Sequence, residues 1–507
     1  MVSRVMSSAV VGVDGFLVEV ETDILNGLPS FTVVGLPDKA VEEARERVRS
    51  AIKNSGVDFP VKRITVNLAP SDLPKEGSSF DMPIAISILK ASDQIDKDLS
   101  DALFIGELSL NGNFRVTRGV LPAILLAKEM NFKRVFVPLE NKEEASMVDG
   151  IDIYAVTNLK DLILFLNDQK SLEKVVSVDF NSLQDESSYD NDLKDIRGQE
   201  AVKRAIEVAV AGGHNILLKG PPGSGKTLIA KTIPSLLPNL TFKEALEVTK
   251  IYSISGLLNG NRFMVTRPFR SPHHTTSYVG LIGGSANPRP GEISLAHRGV
   301  LFLDELPEFS RNVLESLRQP LEDGVVSISR AKQRISFPAD FMLIAAANPC
   351  PCGYLGDSTK ECICSPTQVL RYQKRLSGPL LDRIDIHVDV PAVKTEKLIN
   401  EENLEESKTV RVRIKKAIDI QKKRFSSVNT LTNGQMSARD IKNYLKLSDE
   451  IKDLMKQAAD RLSLSARSFH KVLKVARTIA DLDSSQEIKR EHVLEALQYR
   501  PRTHEMV

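Results

Sequence analysis

A glycine-rich segment near the middle of the chain has the residue types and the spacing of a phosphate-binding loop. It has two glycines separated by four residues and then a lysine and a threonine, so every required position of the pattern is filled. Backbone N–H groups converge on phosphates in such a loop, the lysine reaches the β- and γ-phosphates, and the threonine hydroxyl holds Mg²⁺. The segment consists of Gly220, Pro221, Pro222, Gly223, Ser224, Gly225, Lys226 and Thr227.

The residues on either side have the patterns that this loop needs. Residues 215–219 form a short apolar strand pattern, and residues 226–237 continue as a helix with an apolar face. A glycine-rich turn with a chance lysine is the alternative. The strand before the loop and the helix after it favour nucleotide binding.

Polar residues that could support hydrolysis follow two further strand patterns. Asp304 and Glu305 come directly after the apolar run 300–303, and Asn348 comes after the run 341–347. Strands of a parallel sheet end at the edge where ligand chemistry takes place. We expect Asp304 to bind Mg²⁺ through water, Glu305 to orient and deprotonate the attacking water, and Asn348 to bond the γ-phosphate or that water. These residues predict an ATPase site, and an exposed acidic strand end is the alternative.

All four cysteines fall within fifteen residues, as two Cys-x-Cys pairs: Cys350, Cys352, Cys362 and Cys364. Four thiolates brought together by a short loop suit a tetrahedral structural Zn²⁺, although Cys-x-Cys is tighter than the usual spacing. Disulfides would be unusual in a cytosolic chain. The adjacent His273 and His274 lack ligand spacing, and we interpret them as loop or interface residues.

Length and composition limit the classes of protein to consider. At about 150 residues per domain, 507 residues predict roughly three domains. Lys plus Arg minus Asp plus Glu is 68 − 66 = +2, which excludes a protein that wraps nucleic acid with its whole surface. No apolar run approaches the roughly 18–20 residues of a membrane span, so we expect a cytoplasmic protein with no membrane partner.

Three regions separate by pattern. Residues 1–170 mix short strands with helices, including a helix from Asp38 to Asn54 whose buried face is Val41, Ala44, Val48 and Ile52. Residues 171–194 are interpreted as a linker because the polar stretch 179–195 has almost no apolar pattern. Alternating strands and helices in 195–391 predict a parallel sheet flanked by helices, and residues 392–507 predict a helical lid.

Several long motifs in fixed order resemble the magnesium-chelatase-like AAA+ ATPases, and the YifB/ComM family in particular. Besides the phosphate-binding loop, the segments are 35–38, 67–70, 73–77, 267–274, 287–297, 303–306, 348–353 and 378–385. The resemblance implies an α/β protein with a Lon-protease-like (ribosomal S5-like) α+β domain, an AAA+ core and a helical lid. It also implies a homohexameric, Mg·ATP-driven motor. The ComM branch is a DNA helicase that drives branch migration when incoming DNA is integrated during natural transformation.

The resemblance also implies roles for individual residues. Ile196 and Gln199 lie in a segment similar to the one that packs beside adenine. Arg383 matches the arginine finger, which completes the ATP site of a neighbouring subunit, and Arg467 matches the sensor-2 arginine of the lid. A surface arginine is the alternative for both.

A predicted hairpin could contact DNA. Residues 325–330 and 334–337 alternate in polarity around a short basic turn, which would carry Arg330, Lys332 and Arg334. Six such turns in a ring could bind the phosphates of a strand in the central channel. The stretch 242–290 is long enough for a second pore insertion. A solvated hairpin is the alternative, and we interpret the basic run 411–424 as a solvated helix face.

The N-terminal region resembles the Lon-type protease fold, with Ser79 at the nucleophile position. Leu121 stands where the lysine of the Ser–Lys dyad should be, so no peptidase activity is expected. A metal-insertion ATPase like true magnesium chelatases, or a protein remodeller that docks substrates on this domain, are the alternatives to a DNA motor.

Overall fold

The computed structural model describes residues 2–184, 189–258, 263–284, 288–329, 334–357, 360–393, 404–426 and 432–500. In these ranges the chain forms two compact units. The first unit consists of Met1–Glu186 and Thr241–Val265, and the second of Ser187–Leu240 and Thr266–Val507.

The first unit is built on a mixed sheet that has seven strands in the described part of the chain, in the order β3-β4-β2-β1-β5-β8-β9. Pairing is antiparallel between β1 and β2 and between β2 and β4, and parallel elsewhere in this sheet. A separate antiparallel pair joins β6 to β7. The strands are β1 (Ser3–Val11), β2 (Asp14–Leu25), β3 (Ser30–Val34), β4 (Arg63–Ala69), β5 (Ala102–Phe104), β6 (Glu107–Leu108), β7 (Phe114–Arg115), β8 (Arg134–Pro138) and β9 (Asp152–Val156).

Helices pack on this sheet and bury the apolar faces that the sequence predicts. The first helix begins after Asp38, whose carboxylate accepts a hydrogen bond from Val41 N at 2.8 Å and caps it. Its predicted buried face is confirmed, since Val41, Ala44, Val48 and Ile52 are all fully buried. The helices are α1 (Lys39–Asn54), α2 (Asp81–Ala91), α3 (Val120–Glu129), α4 (Lys142–Ala145), α5 (Leu159–Leu166) and α6 (Phe180–Gln184).

A helix from the middle of the chain also belongs to the first unit. It spans Phe242–Ser255, and its apolar residues Ala245, Val248 and Ile251 are fully buried. Its Ser253 hydroxyl hydrogen-bonds the buried Glu144 carboxylate. From the sequence, this stretch is expected in the ATPase region, where 242–290 is long enough for a pore insertion. Its apolar face instead completes the core of the first unit.

The segment expected to be a linker, 171–194, is packed at both ends. Val175 N donates to Ile153 O at 2.8 Å, and Phe180 packs edge-on against Phe242 in the first unit. Leu193 is buried in the core of the second unit. The few apolar residues of this polar stretch therefore anchor it.

The second unit contains the parallel sheet that the sequence predicts. Its five described strands have the order β11-β14-β17-β10-β18, and all four pairings are parallel. Ile216, Phe302 and Ile344 face one core cluster, and the alternate residues face another. The sheet strands are β10 (Ile216–Lys219), β11 (Phe269–Arg270), β14 (Val300–Leu303), β17 (Met342–Ala347) and β18 (Ile386–Asp389).

Two short antiparallel pairs accompany this sheet, formed by β12 (Gly283–Gly284) with β13 (Arg289–Pro290) and by β15 (Val325–Ser329) with β16 (Arg334–Pro338). The helices around the sheet, together with α9 of the first unit, are α7 (Glu200–Gly212), α8 (Lys226–Leu236), α9 (Phe242–Ser255), α10 (Tyr278–Ile282), α11 (Glu292–Leu295), α12 (Arg311–Ser316), α13 (Arg318–Asp323), α14 (Pro366–Gln373) and α15 (Gly378–Leu381). Short 3₁₀ helices lie at Leu139–Asn141, Leu193–Asp195, Leu306–Glu308 and Asn433–Gln435.

The C-terminal region is helical, as predicted, but it shares the core of the sheet. Residues such as Ile414, Ala476 and Val493 belong to the same buried cluster as Ile216 of β10. The helices are α16 (Ser407–Arg424), α17 (Ala438–Tyr444), α18 (Asp449–Leu462), α19 (Ala466–Leu482) and α20 (Arg490–Gln498). None of the helices in the described ranges is long and apolar enough to cross a membrane.

Candidate nucleotide-binding and hydrolysis site

The predicted phosphate-binding loop joins β10 to α8 at the carboxyl edge of the parallel sheet. Gly223 and Gly225 have φ values of +77° and +86°, a region that favours glycine. A Cβ at Gly220 would lie 2.1 Å from Val390 O, so only glycine fits where the loop leaves the strand. Nothing would contact a Cβ at Gly223 or Gly225 within 4 Å, so the outer side of the loop is open.

Lys226 is buried at the start of α8, and its ammonium group is held inside the loop. Its Nζ donates to Gly220 O and Pro221 O at 2.8 Å each, and to Asn348 Oδ1 at 3.3 Å. Burial lowers the pKa of Lys226 below its ordinary value, while the nearby carboxylates of Asp304 and Glu305 act in the opposite direction. The structure thus brings the predicted lysine and the predicted asparagine together.

Thr227 and Asp304 are also in contact. The Thr227 hydroxyl donates to Asp304 Oδ2 at 2.7 Å, and the other carboxylate oxygen accepts from Glu305 N at 2.9 Å. A hydroxyl and a carboxylate beside an open glycine loop are the hard oxygen donors that suit Mg²⁺ with a nucleotide phosphate. The donor set therefore fits the predicted metal.

Glu305 follows β14 in a left-handed conformation, with φ of 50°. For a residue other than glycine this costs on the order of 1–3 kcal/mol, and such strain concentrates at functional sites. The Glu305 side chain is 51% exposed, and its Oε2 lies 3.4 Å from His274 Nδ1. The strained turn thus presents the carboxylate at the sheet edge, beside an imidazole.

His274 is a residue of this site that the sequence analysis missed. Its ring packs edge-on against Phe309 and lies tilted against His273, with ring centroids 4.0 Å apart. The sequence feature that could have indicated a role for His274 is its position in the 267–274 motif. The spacing of His274 and Glu305 along the chain does not indicate their contact, because the pairing of β11 with β14 brings them together.

We expect His274→Ala to lower the ATP turnover number about 3- to 10-fold, because the polar contact that orients the Glu305 carboxylate is lost. His274→Gln, which can still donate a hydrogen bond, should recover most of the rate. The measurement is steady-state ATPase kinetics with KM and kcat determined separately. His273→Ala is the matched control, since the recorded side-chain partner of His273 Nδ1 is Thr275 Oγ1, at 2.9 Å. An unchanged or increased kcat in His274→Ala would contradict the orienting role.

The two residues expected near the adenine occupy different environments. Gln199 Nε2 donates to Ser224 O at 3.0 Å and to Pro391 O at 2.9 Å, so it ties the loop to the second residue after β18. Ile196 is buried in the core of the second unit. The structure therefore brings Gln199 into contact with the phosphate-binding loop.

The backbone of Arg383 lies at the opposite edge of the sheet from this loop. The Arg383 carbonyl accepts from Asn215 Nδ2 at 2.9 Å. Asn215 comes just before β10 and the loop just after it, about 13 Å away along a four-residue strand. The Arg383 guanidinium pairs with Glu322 and holds the pKa of that carboxyl below its usual value. Arg467 Nη1 lies 3.8 Å from Asp382 Oδ2. The Arg383 backbone is thus about a strand's length from the loop, and Arg467 contacts the residue just before Arg383.

The four cysteines are brought together beside the end of β17. Their sulfur atoms all lie within 4.8 Å of one another, an arrangement that could hold a metal ion. Cys350 is buried and the other three are half-buried.

The hairpin predicted to contact DNA is formed by β15 and β16. The strands pair from Val325 opposite Pro338 to Ser329 opposite Arg334. Buried Val326 and Phe337 fix its base, and Arg334 is exposed at its far end. Arg330 and Lys332 lie outside the described residues.

The region similar to a protease nucleophile loop belongs to the first unit. Ser79 O accepts from Gly106 N at 2.9 Å. Leu121, at the position of the missing lysine, is fully buried in α3. An aliphatic side chain there offers no amine to take the proton of a serine.

Comparison with known proteins matches most of the chain to one family. The family described as magnesium chelatase, subunit ChlI, matches residues 192–398, and its C-terminal part matches residues 404–500. The description "Subunit ChlI of Mg-chelatase" matches residues 20–141.

Two relatives are similar over almost the whole length. Competence protein ComM of Haemophilus influenzae is 46% identical over 501 residues, covering 98% of this chain and 97% of that protein. The uncharacterized protein YifB of Escherichia coli is 43% identical over 506 residues, with the same coverage. Lon protease 2 of Bacillus subtilis is 28% identical over 166 residues, which is 29% of this chain and 30% of that protein.

Proposed function

The chain belongs to the ComM/YifB family of magnesium-chelatase-like AAA+ ATPases, and from this premise we propose that it is a homohexameric, ATP-driven DNA motor. Its substrate would be branched and single-stranded DNA. Its task would be branch migration when incoming DNA is recombined during natural transformation. The likeness to a competence protein over 98% of the chain supports this assignment.

The contacts at the sheet edge support ATP hydrolysis. Lys226 would bind the β- and γ-phosphates, and Thr227 and Asp304 would hold Mg²⁺, which neutralises phosphate charge. Glu305 would accept a proton from the attacking water, and Asn348 would orient that water or the γ-phosphate. The 2.7 Å contact between Thr227 and Asp304, beside the buried Lys226, is the observation on which this proposal depends.

The distance between Arg383 and its own loop supports a shared active site. An arginine that neutralises transition-state charge must touch the phosphate. Because a strand's length separates Arg383 from the phosphate-binding loop of its own subunit, Arg383 would reach the nucleotide of a neighbouring subunit. Arg467 would act from the same side because it lies beside Asp382. Each ATP site would then be completed by the next subunit, and such head-to-tail contacts form a ring when the rotation between subunits closes.

The β15–β16 hairpin is the proposed DNA contact. A cation at the end of a hairpin, such as the exposed Arg334, can bind phosphates while the chain as a whole carries a net charge of only +2. Motion of the hairpin on hydrolysis would then move a strand through the ring.

We expect the double variant Lys332→Glu, Arg334→Glu to lose stimulation of ATP hydrolysis by single-stranded or forked DNA and to keep its basal rate. The reversed charges repel phosphates, and neither substitution changes a residue of the proposed ATP site. Turnover is measured with and without DNA at low salt, followed by strand displacement. Lys415→Glu, Lys416→Glu, an equal charge change on the exposed face of α16, is the control. Stimulation that survives in the hairpin variant would contradict the assignment.

If DNA leaves the turnover of the parent chain unchanged, the motor proposal fails and the protein-remodelling alternative is favoured.

A further inference from the structure

The four cysteine sulfurs have the separations expected around one tetrahedral metal ion. Cys350 Sγ lies 3.3 Å from Cys352 Sγ and 3.6 Å from Cys362 Sγ, and Cys352 Sγ is also 3.6 Å from Cys362 Sγ. Zn–S bonds of about 2.3 Å in a tetrahedron require sulfurs about 3.8 Å apart. The fourth sulfur, of Cys364, accepts a hydrogen bond from Cys352 N at 3.4 Å. Four soft sulfur ligands in this shape favour Zn²⁺.

The cysteines connect two elements of the second unit. Cys350 and Cys352 follow β17 directly after Asn348, and Cys362 and Cys364 precede α14, which is capped by Ser365. A metal bound here would join the end of β17 to the start of α14. Because the amide oxygen of Asn348 contacts Lys226 at 3.3 Å, only one residue, Pro349, separates the first metal ligand from the predicted ATP site.

A second contact joins the cysteine segment to the phosphate-binding loop itself. Gly353 has φ of +86°, and a Cβ built there would lie 2.4 Å from Pro222 Cδ. The backbone of Gly353 therefore packs against the ring of Pro222, in the middle of the loop. Two members of the predicted ATP site, Pro222 and Asn348, are thus held by residues next to the metal ligands.

We propose that one Zn²⁺ ion is bound by Cys350, Cys352, Cys362 and Cys364. We also propose that this zinc site fixes the positions of Pro222 and Asn348. Nucleotide affinity would then depend on metal occupancy, although the metal does not touch the nucleotide. The dependence on nucleotide affinity rests on the proposed ATPase function, whereas the binding of zinc does not.

The first test measures the metal. The full-length chain, purified without added zinc, should contain about one zinc per chain by mass spectrometry of the metal. Cys362→Ser, Cys364→Ser should contain less than about a tenth of that amount, because two oxygen ligands replace two thiolates. A parent chain that holds no zinc, and takes up none when zinc is supplied after reduction, would overturn the site whether or not the protein hydrolyses ATP.

The second test asks whether the contact of Gly353 with Pro222 affects nucleotide affinity when metal binding and folding are unchanged. Gly353→Ala should keep its zinc but bind a fluorescent ATP analogue about 10-fold more weakly, because the new methyl group displaces Pro222. Gly356→Ala is the matched control: Gly356 has φ of +79°, so the backbone strain is the same, but nothing would contact its Cβ within 4 Å. The zinc-free double cysteine variant should show the same loss of affinity as Gly353→Ala. Affinities in Gly353→Ala equal to those in Gly356→Ala would overturn the role in positioning the loop.

Discussion

Replacing Glu305 with glutamine should lower the ATP turnover number at least about 100-fold, while the affinity for ATP stays within about two-fold of the parent value. Glutamine keeps the size of the side chain and its reach from the left-handed turn after β14. It lacks the carboxylate that accepts a proton from water. Steady-state phosphate release gives the turnover, and binding of a fluorescent ATP analogue gives the affinity.

Glu308→Gln is the matched control for this experiment. It removes the same charge three residues further along, from a carboxylate that lies 2.7 Å from Arg375 Nη1. Glu308→Gln should retain most of the turnover. Glu305→Gln activity within a few-fold of the parent would mean that another group activates the water.

Replacing Arg383 with alanine should lower turnover on the order of 1,000-fold, the lower end of the range for arginine fingers, and leave nucleotide binding almost unchanged. Nucleotide binding should be retained because of the position of Arg383 in its own subunit. Because Arg383 is at the amino end of β18 and the loop is at the carboxyl end of β10, removing the guanidinium leaves the binding contacts of its own subunit intact. Only charge stabilisation in the transition state is lost.

Arg318→Ala provides the comparison for Arg383→Ala. Arg318 is also an arginine in an ion pair, 2.9 Å from Glu315, although its side chain is 44% exposed and that of Arg383 is 13% exposed. If both alanine variants lose activity to the same extent, the loss reflects a general change of the surface and Arg383 has no special role. A selective loss in Arg383→Ala, with an unchanged unfolding temperature, supports the finger assignment.

The features that can be predicted from the sequence are those set by local backbone conformation, apolar spacing and helix capping. The phosphate-binding loop follows from glycine conformation and a strand-to-helix turn, and the structure has that turn between Lys219 and Lys226. Helix α1 follows from its apolar period and from Asp38 as its cap. The convergence of Thr227, Asp304 and Asn348 follows from parallel strands that end at one edge.

The features that sequence did not predict depend on tertiary packing. The apolar face of α9 is compatible with any core, and its packing against the first unit becomes apparent only in the folded chain. The contact of His274 with Glu305 and that of Gly353 with Pro222 each join residues at least 31 positions apart, for which no local pattern exists. The position of Arg467 beside Asp382 depends on the packing of α19 against the sheet edge.

The central claim is that each ATP site combines Glu305 of one subunit with Arg383 of the next. An equimolar mixture of Glu305→Gln and Arg383→Ala chains, dissociated and reassembled together, tests it most directly. Random assembly makes about a quarter of the interfaces complete, so turnover should rise from near zero in either variant alone to roughly a quarter of the parent rate. A mixture that stays as inactive as its two components would contradict a site shared between subunits.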